Sequence, residues 1–320
     1  MRPGSFVPAP WLANAHLQTL YGALAANAPR LAFRRERWDT PDGDFVDVDF
    51  VDGPEGTPWV HLYHGLEGSS NSPYARMLMA HVRQRAWRGS VFHFRGCSGE
   101  PNRLARAYHS GDTEEIDWSL ARVKALAGAA PLFAAGVSLG GNAFCKWLGE
   151  HGESARAIVE RAAAVSAPLD LMAAGEALGR GFARVYAWNF LGSLKRGALD
   201  KLNRFPGLYD GAVVSRARTL RAFDNVVTAP LHGFRDTDDY WTRASAKPHL
   251  AGIRVPTLLV NARDDPFLPG SALPTEREVS DAVKLEFPEH GGHVGFVTAP
   301  FPGHIEWLPQ RLLHFFDSRE

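Results

Sequence analysis

Short apolar runs alternate with longer amphipathic stretches along most of the chain, and that alternation predicts its architecture. Leu31–Trp38 and Phe45–Val51 read as an antiparallel pair of strands joined by the turn Pro41-Asp42-Gly43. Trp59–Tyr63, Ser90–Phe94, Leu132–Val137, Ala157–Val165, Thr257–Asn261 and Val283–Phe287 are apolar runs followed by Gly, Asp or Pro. Runs of this kind read as strands buried on both faces of a parallel sheet. Helical periodicity fills Tyr74–Arg88, Glu114–Ala127, Leu139–Glu150 and His304–Phe316. Strand and helix in turn give an α/β protein with a mostly parallel, eight-stranded sheet and helices on both faces.

One interval departs from the alternation. From Pro168 to Gly252 the pattern is helical, no convincing strand occurs, and aromatic residues are frequent, among them Phe182, Trp188, Phe223, Tyr240 and Trp241. An insertion this long between two strands is usually functional. The expected organisation is therefore a core formed by residues 1–167 and 253–320, with 168–252 as a helical cap insertion. Its aromatics can serve as the insertion's own core, as the cover of an apolar pocket, or as both.

Composition narrows the setting. The chain has 320 residues, enough for a substantial core. Lys+Arg and Asp+Glu stand at 35 each, so net charge offers no case for a nucleic-acid partner or an acidic membrane. Met1–Gly22 lacks a basic start followed by an apolar run, and other apolar stretches fall short of the ~20 residues of a membrane span. Cys97 and Cys145 are the only cysteines, which suits a reducing compartment. A cytoplasmic protein with no integral membrane span is expected; oligomeric state is not legible.

The chemistry begins at Gly136-Val137-Ser138-Leu139-Gly140. A serine hydroxyl is a poor nucleophile until a base takes its proton and donors stabilise the oxyanion. In Gly-x-Ser-x-Gly the serine sits on a strained strand-to-helix turn, where side chains two residues either side would clash. Here a strand run precedes the motif and a helical run follows it, as that turn requires. Ser138 is the candidate nucleophile, and the α/β-hydrolase fold is the expected frame.

That frame orders its partners Ser, Asp, His. The strand ending at Asn261 leads into Asp264 and Asp265, at the carboxyl edge where such sheets present functional groups. Asp265 opens an Asp-x-apolar-x-Pro turn and is preferred; the aspartate that is not catalytic is expected to cap a turn. After the last strand, His290-Gly291-Gly292-His293 can swing an imidazole towards the serine. His293 is preferred over His290, and His304 is read as a surface residue opening the last helix. Two backbone N–H groups should hold the oxyanion: Leu139, directly after the nucleophile, and Leu66, in the loop His64-Gly65-Leu66. The plain alternative for His64-Gly65 is an ordinary strand-ending turn.

A zinc site from His61/His64 and His290/His293 is the competing reading. His61 and His64 are three apart on a strand and so face opposite ways, and no carboxylate follows at metalloprotease spacing. No metal and no organic cofactor is expected. In the glycine-rich segment Phe94–Asn102, Arg95 and Glu100 are expected to pair and hold the loop; Tyr108 and His109 either line the pocket or pack.

With these residues located, the chain resembles the type-4 α/β-hydrolases, the YheT-like family, over nearly its whole length. The likeness lies in Trp11-Leu12-Ala13-Asn14-Ala15-His16-Leu17-Gln18-Thr19-Leu20, Gly65–Ser69, Phe94–Asn102, Tyr108–Thr113, Phe223-Asp224 through Phe234, Asp239-Tyr240 and Asn261–Phe267. The resemblance implies the triad Ser138, Asp265 and His293 and esterase-type hydrolysis of carboxylic esters, lipid and acetyl esters among them. Some eukaryotic relatives carry an N-terminal membrane anchor, which is not carried over here.

The expected function is thus a serine esterase with a small-molecule ester substrate, its aromatic-rich cap favouring apolar, lipid-like acyl or alcohol groups. An acyltransferase using the same acyl-enzyme is the first alternative, separable by products formed with competing acceptors. A non-catalytic binding module on a hydrolase scaffold is the second, and an intact triad argues against it.

Overall fold

The computed structural model describes residues 4–318. Met1–Pro3, at the start of the segment read for a leader, and Arg319–Glu320 lie outside the described residues. One eight-stranded sheet runs through the molecule: β1 (Arg34–Asp39), β2 (Phe45–Val51), β3 (Trp59–Tyr63), β4 (Arg88–Phe92), β5 (Leu132–Val137), β6 (Arg161–Val165), β7 (Thr257–Val260) and β8 (Val283–Glu286). Their spatial order is β1-β2-β4-β3-β5-β6-β7-β8. β1, β2 and β4 pair antiparallel, and every pairing from β4 through β8 is parallel.

Alternation along the strands divides the core into two layers. Tyr63 and Phe92 point to one face, where they meet Ile116, Leu120, Phe144 and Trp147. Leu62, Val91 and Phe133 point to the other, against Leu78, Met79, Leu312 and Phe316. Period-two packing of this kind needs apolar residues at successive positions, as the continuous runs in the sequence supply.

Before the first strand lies α1 (Ala15–Leu20), capped by the Asn14 side chain. Three helices connect successive parallel strands: α2 (Pro73–Gln84), α3 (Thr113–Ala127) and α4 (Leu139–His151). Between β6 and β7 come α5 (Leu171–Leu178), α6 (Arg184–Arg204), α7 (Gly211–Arg216), α8 (Leu220–Val226), α9 (Thr228–Leu231) and α10 (Thr237–Ala244). α11 (Trp307–Asp317) closes the chain.

Several predicted boundaries move. β4 ends at Phe92 rather than Phe94, because the Phe94 N–H donates to His64 Nε2 instead of a strand carbonyl (3.2 Å). β6 begins at Arg161 rather than Ala157, because residues 152–157 form a 3-10 turn that ends where the strand was expected to start. The last helix starts at Trp307, not His304: Thr298 and His304 exchange backbone hydrogen bonds across the Pro300–Gly303 turn and hold that stretch out of the helix.

Among the contacts that tie the segment between β6 and β7 to the core, two side chains each make three hydrogen bonds. Asn142 on α4 is fully buried; its amide donates to the carbonyls of Ser110 (2.7 Å) and Ala244 (2.8 Å), and its oxygen accepts from the Ala246 N–H (2.9 Å). Lys201 on α6 donates to Asn102 Oδ1 and to the carbonyls of Leu104 and Arg106, at 2.9–3.1 Å. Burial lowers the Lys201 ammonium to about 8.

Two predictions follow from these buried polar groups. Asn142→Ala strands one N–H and two carbonyls, so urea unfolding should show a loss of about 3 kcal/mol without a change in m-value. Burial also pushes His61, His64 and His232 down to about 3 and His109 to about 4. These rings stay neutral in the folded chain while the unfolded chain protonates them below about 6.5. Stability is therefore complete above that pH. As pH falls towards 4 it drops by up to about 1.4 kcal/mol per histidine per pH unit, a fall that chemical denaturation at pH 7.5 and pH 5 should register.

Candidate active site

Ser138 stands between β5 and α4 with φ at +52°, a conformation that favours glycine and stores strain in a serine. It is held by its N–H donating to Val165 O (2.9 Å) and by its carbonyl accepting from Asn142 N–H (3.1 Å). The flanking glycines are sterically required. A Cβ on Gly136 would lie 2.5 Å from Gly140 O, and one on Gly140 would lie 2.5 Å from His64 O.

The structure brings Ser138, His293 and Asp265 together. Ser138 Oγ is 3.0 Å from His293 Nε2, and His293 Nδ1 is 2.9 Å from Asp265 Oδ2. A carboxylate only accepts, so Nδ1 carries the proton and Nε2 is left to accept from the Ser138 hydroxyl. Asp265 is buried, and its Oδ1 also accepts from the Phe267 N–H at 2.8 Å. Asp264 takes another position: it accepts from the Gly292 N–H (2.9 Å) and lies 3.2 Å from His290 Nδ1, bracing the loop that carries His293.

Leu66 and Leu139 both line the cavity at Ser138. Neither of their backbone N–H groups meets a protein acceptor among the described residues. Gly65 permits the close approach: a Cβ there would sit 3.0 Å from Ser138 Cβ. The Gly65–Leu66 peptide is fixed through its carbonyl, which accepts from His64 Nδ1–H (2.7 Å) and from Gly68 N–H (2.9 Å). With Nε2 of the same ring accepting from Phe94 N–H, His64 must be the neutral Nδ1-protonated tautomer. Burial, which disfavours its charged form, sustains that state. The sequence reading placed His64 in the oxyanion loop, with an ordinary turn and a metal pair as alternatives, and did not give its ring the part of holding the Gly65–Leu66 peptide.

Sequence reasoning also missed what supports His293. The Phe267 ring stacks on its imidazole, centroids 3.9 Å apart and 15° from parallel. The backbone N–H of His293 donates to Thr19 Oγ1 (2.9 Å), and that of Val294 to Ser166 Oγ (3.1 Å). The buried Gln18 amide pairs at both ends with the Val297 backbone (3.1 and 2.7 Å). A Cβ on Gly292 would lie 2.4 Å from Ala15 O. The N-terminal segment, whose residues carried only resemblance, is thus packed against the histidine loop.

Other expectations resolve differently. Arg95 does not pair with Glu100. Its buried guanidinium turns under the loop to Glu115 (2.6 Å), Asp42 (2.9 Å) and Asp44 (3.0 Å), while the more exposed Glu100 meets Arg37 (3.0 Å). The β1–β2 turn supplies acids below the loop that the sequence order does not advertise. His61 and His64 do not share a site: His61 Nδ1 lies 2.7 Å from Ser90 Oγ. Among the described residues no three His, Cys, Asp or Glu groups gather as metal ligands would.

A cavity of about 570 Å³ opens at Ser138 and His293. Its walls include Leu171, Ala174 and Leu178 of α5, Phe190, Leu194 and Ala198 of α6, and Phe223 and Val227 from α8 onward. Tyr108 and His109 also line it. Asp224 faces the same space; its carboxylate accepts from Thr228 Oγ1 (2.6 Å) and Trp241 Nε1 (2.9 Å), and burial raises it to about 6.

Comparison with known proteins accords with this geometry. A family model described as the alpha/beta hydrolase fold matches residues 58–300. The protein named "Putative esterase YheT" of Escherichia coli (strain K12) is 40% identical over 312 residues, covering 96% of this chain and 91% of its own length. Phospholipase ABHD3 of Homo sapiens is 29% identical over 324 residues, covering 98% and 79% respectively. Among solved structures, Est1E from Butyrivibrio proteoclasticus superposes with a TM-score of 0.56 at 15% identity, covering 88% of this chain and 96% of its own. A bacterial membrane phospholipase A gives 0.55 at 19%, covering 89% and 86%. At such identities the structural likeness is one of fold alone. Fold, site geometry and sequence agree: this chain belongs to the α/β-hydrolase family, in its YheT-like branch.

Proposed function

We propose that the protein is a serine esterase that hydrolyses carboxylic esters of apolar, lipid-like acyl or alcohol groups. The observation that carries the reading is the continuous line of hydrogen bonds from Ser138 Oγ through His293 to Asp265 at an apolar cavity. Ser138 attacks the ester carbonyl as His293 Nε2 takes its proton; buried Asp265 orients the ring and stabilises the imidazolium. The unpartnered N–H groups of Leu66 and Leu139 receive the oxyanion, an interaction that strengthens as charge develops. His293 protonates the leaving alcohol, an acyl-enzyme forms on Ser138, and water activated by the same histidine releases the acid. These steps call on the chain's own groups, without metal or organic cofactor.

Residues 168–252 act in this proposal as a cap on a core of 1–167 and 253–320, because their helices supply much of the apolar wall. The names of relatives agree with ester substrates: an esterase in YheT, a phospholipase in ABHD3, and a monoacylglycerol lipase of Saccharomyces cerevisiae, 28% identical over 273 residues. The proposal includes a cytoplasmic setting, in keeping with the free thiols of Cys97 and Cys145.

A fluorophosphonate probe should label Ser138 stoichiometrically and leave Ser138→Ala unlabelled. Turnover of p-nitrophenyl esters from acetyl to palmitoyl should depend on chain length and fall by about 10⁴-fold or more in the variant. Folded protein that neither labels nor turns over any of these esters would sink the proposal. The two aspartates should separate as sharply. Asp265→Asn should lower kcat by about 10⁴-fold, whereas Asp264→Asn, which loosens a loop, should cost less than about tenfold at an unchanged pH profile. Equal losses in the two variants would contradict the assigned roles.

A further inference from the structure

The longest helix of the molecule, α6, has two unlike faces. Tyr186, Phe190, Leu191, Leu194 and Ala198 turn inward, several of them towards the cavity. The opposite face should be polar on a surface helix, yet Trp188 is 78% exposed and Val185 49%. Phe182, three residues before Val185, is 51% exposed and reaches α1 through ring contact with His16 (4.6 Å). Exposed bulky apolar groups in a row mark an interaction surface rather than chance.

Charge identifies what covers it. The chain as a whole is neutral, but the outer side of α6 carries Arg184, Lys195 and Arg196 with no acid beside them, Lys195 also donating to Ser215 O (2.9 Å). Asp200, Lys201 and Arg204 line the cavity side instead, and Arg180 pairs with Glu176 (3.2 Å). At helical spacing Arg184, Trp188 and Lys195 fall on one line, with Val185 and Arg196 beside it. Neither Arg184 nor Arg196 joins an ion pair among the described residues. No described helix is long and apolar enough to cross a membrane. A helix with exposed arginines and tryptophan on its outer side, preceded by an exposed phenylalanine, has the character of an element that lies in a bilayer interface, arginines at the head groups and rings among the upper acyl chains.

We propose that the outer face of α6, with Phe182 at its start, docks on an anionic lipid surface. A second copy of the chain is the less suitable occupant, since it would oppose one cationic helix to another. An anionic bilayer complements both the charge and the exposed rings. The same helix walls the cavity from within, so docking sets the cavity beside the bilayer.

The test uses the intact chain and sedimentation with vesicles of phosphatidylcholine alone or with about one quarter phosphatidylglycerol. The wild type should partition onto the anionic vesicles at least about tenfold more strongly, and less so as salt rises. Arg184→Glu/Arg196→Glu should weaken that partitioning by about tenfold or more, and Trp188→Ala by about fivefold, both with unchanged unfolding midpoints. These readouts are independent of ester turnover and of Ser138. The proposal is overturned if the wild type ignores anionic vesicles or binds both kinds alike. It is equally overturned if both variants still bind, or if sedimentation velocity shows a dimer that Trp188→Ala makes monomeric.

Discussion

The turn at Ser138 is the constraint around which the rest of the molecule is arranged. A serine at φ +52° is held only because its surroundings leave it no alternative. β5 ends there and α4 begins one residue later; only hydrogen fits at Gly136, against the Gly140–Gly141 backbone, and at Gly140, against the Tyr63–His64 backbone at the end of β3. β3 lies next to β5 in the sheet although a strand and two helices separate them in the chain. That adjacency brings the loop after β3, with Gly65 and Leu66, against Ser138. The strained serine and its candidate oxyanion donors are therefore consequences of one packing arrangement.

The histidine side of the site is secured differently. Gly291-Gly292 gives the loop after β8 enough freedom to reach Ser138, and the same freedom would let His293 wander. Contacts from three parts of the chain remove it: Thr19 and Gln18 from α1, Ser166 after β6, and, after β7, Asp264 and the Phe267 ring stacked on the imidazole. Two hydroxyls, an amide and a carboxylate thus fix backbone N–H groups, while Asp265 and Phe267 fix the ring itself. Such redundant support is how a side chain keeps a productive geometry without a rigid element beneath it.

The helices between β6 and β7 supply much of the cavity wall without supplying the reactive group. Their ties to the core include two polar anchors, Asn142 and Lys201, whose partners are almost all backbone carbonyls and N–H groups. Apolar side chains of α5, α6 and α8 are left free to form a wall. The division matters for chemistry, because hydrogen bonds between serine, histidine and aspartate gain strength where water is few and the dielectric low. Outward, α6 shows solvent aromatic and basic groups that its packing does not require.

Much of this could be read from residue order alone. Continuous apolar runs marked the strands because a buried parallel strand needs them on both faces. The glycine spacing around Ser138 marked the turn because the clash it avoids is local. The order of serine, aspartates and histidines followed from sheet topology. Only the folded chain separated Asp265 from Asp264, since adjacent residues differ by direction and not by composition: one carboxylate points at His293, its neighbour at the Gly292 N–H. Likewise only tertiary structure took Arg95 to Glu115, Asp42 and Asp44 in place of Glu100, and made His64 the lock on the Gly65–Leu66 peptide. Local sterics and periodicity are properties of the sequence; the partner of a polar side chain is chosen by whatever distant segment packing brings within three ångströms.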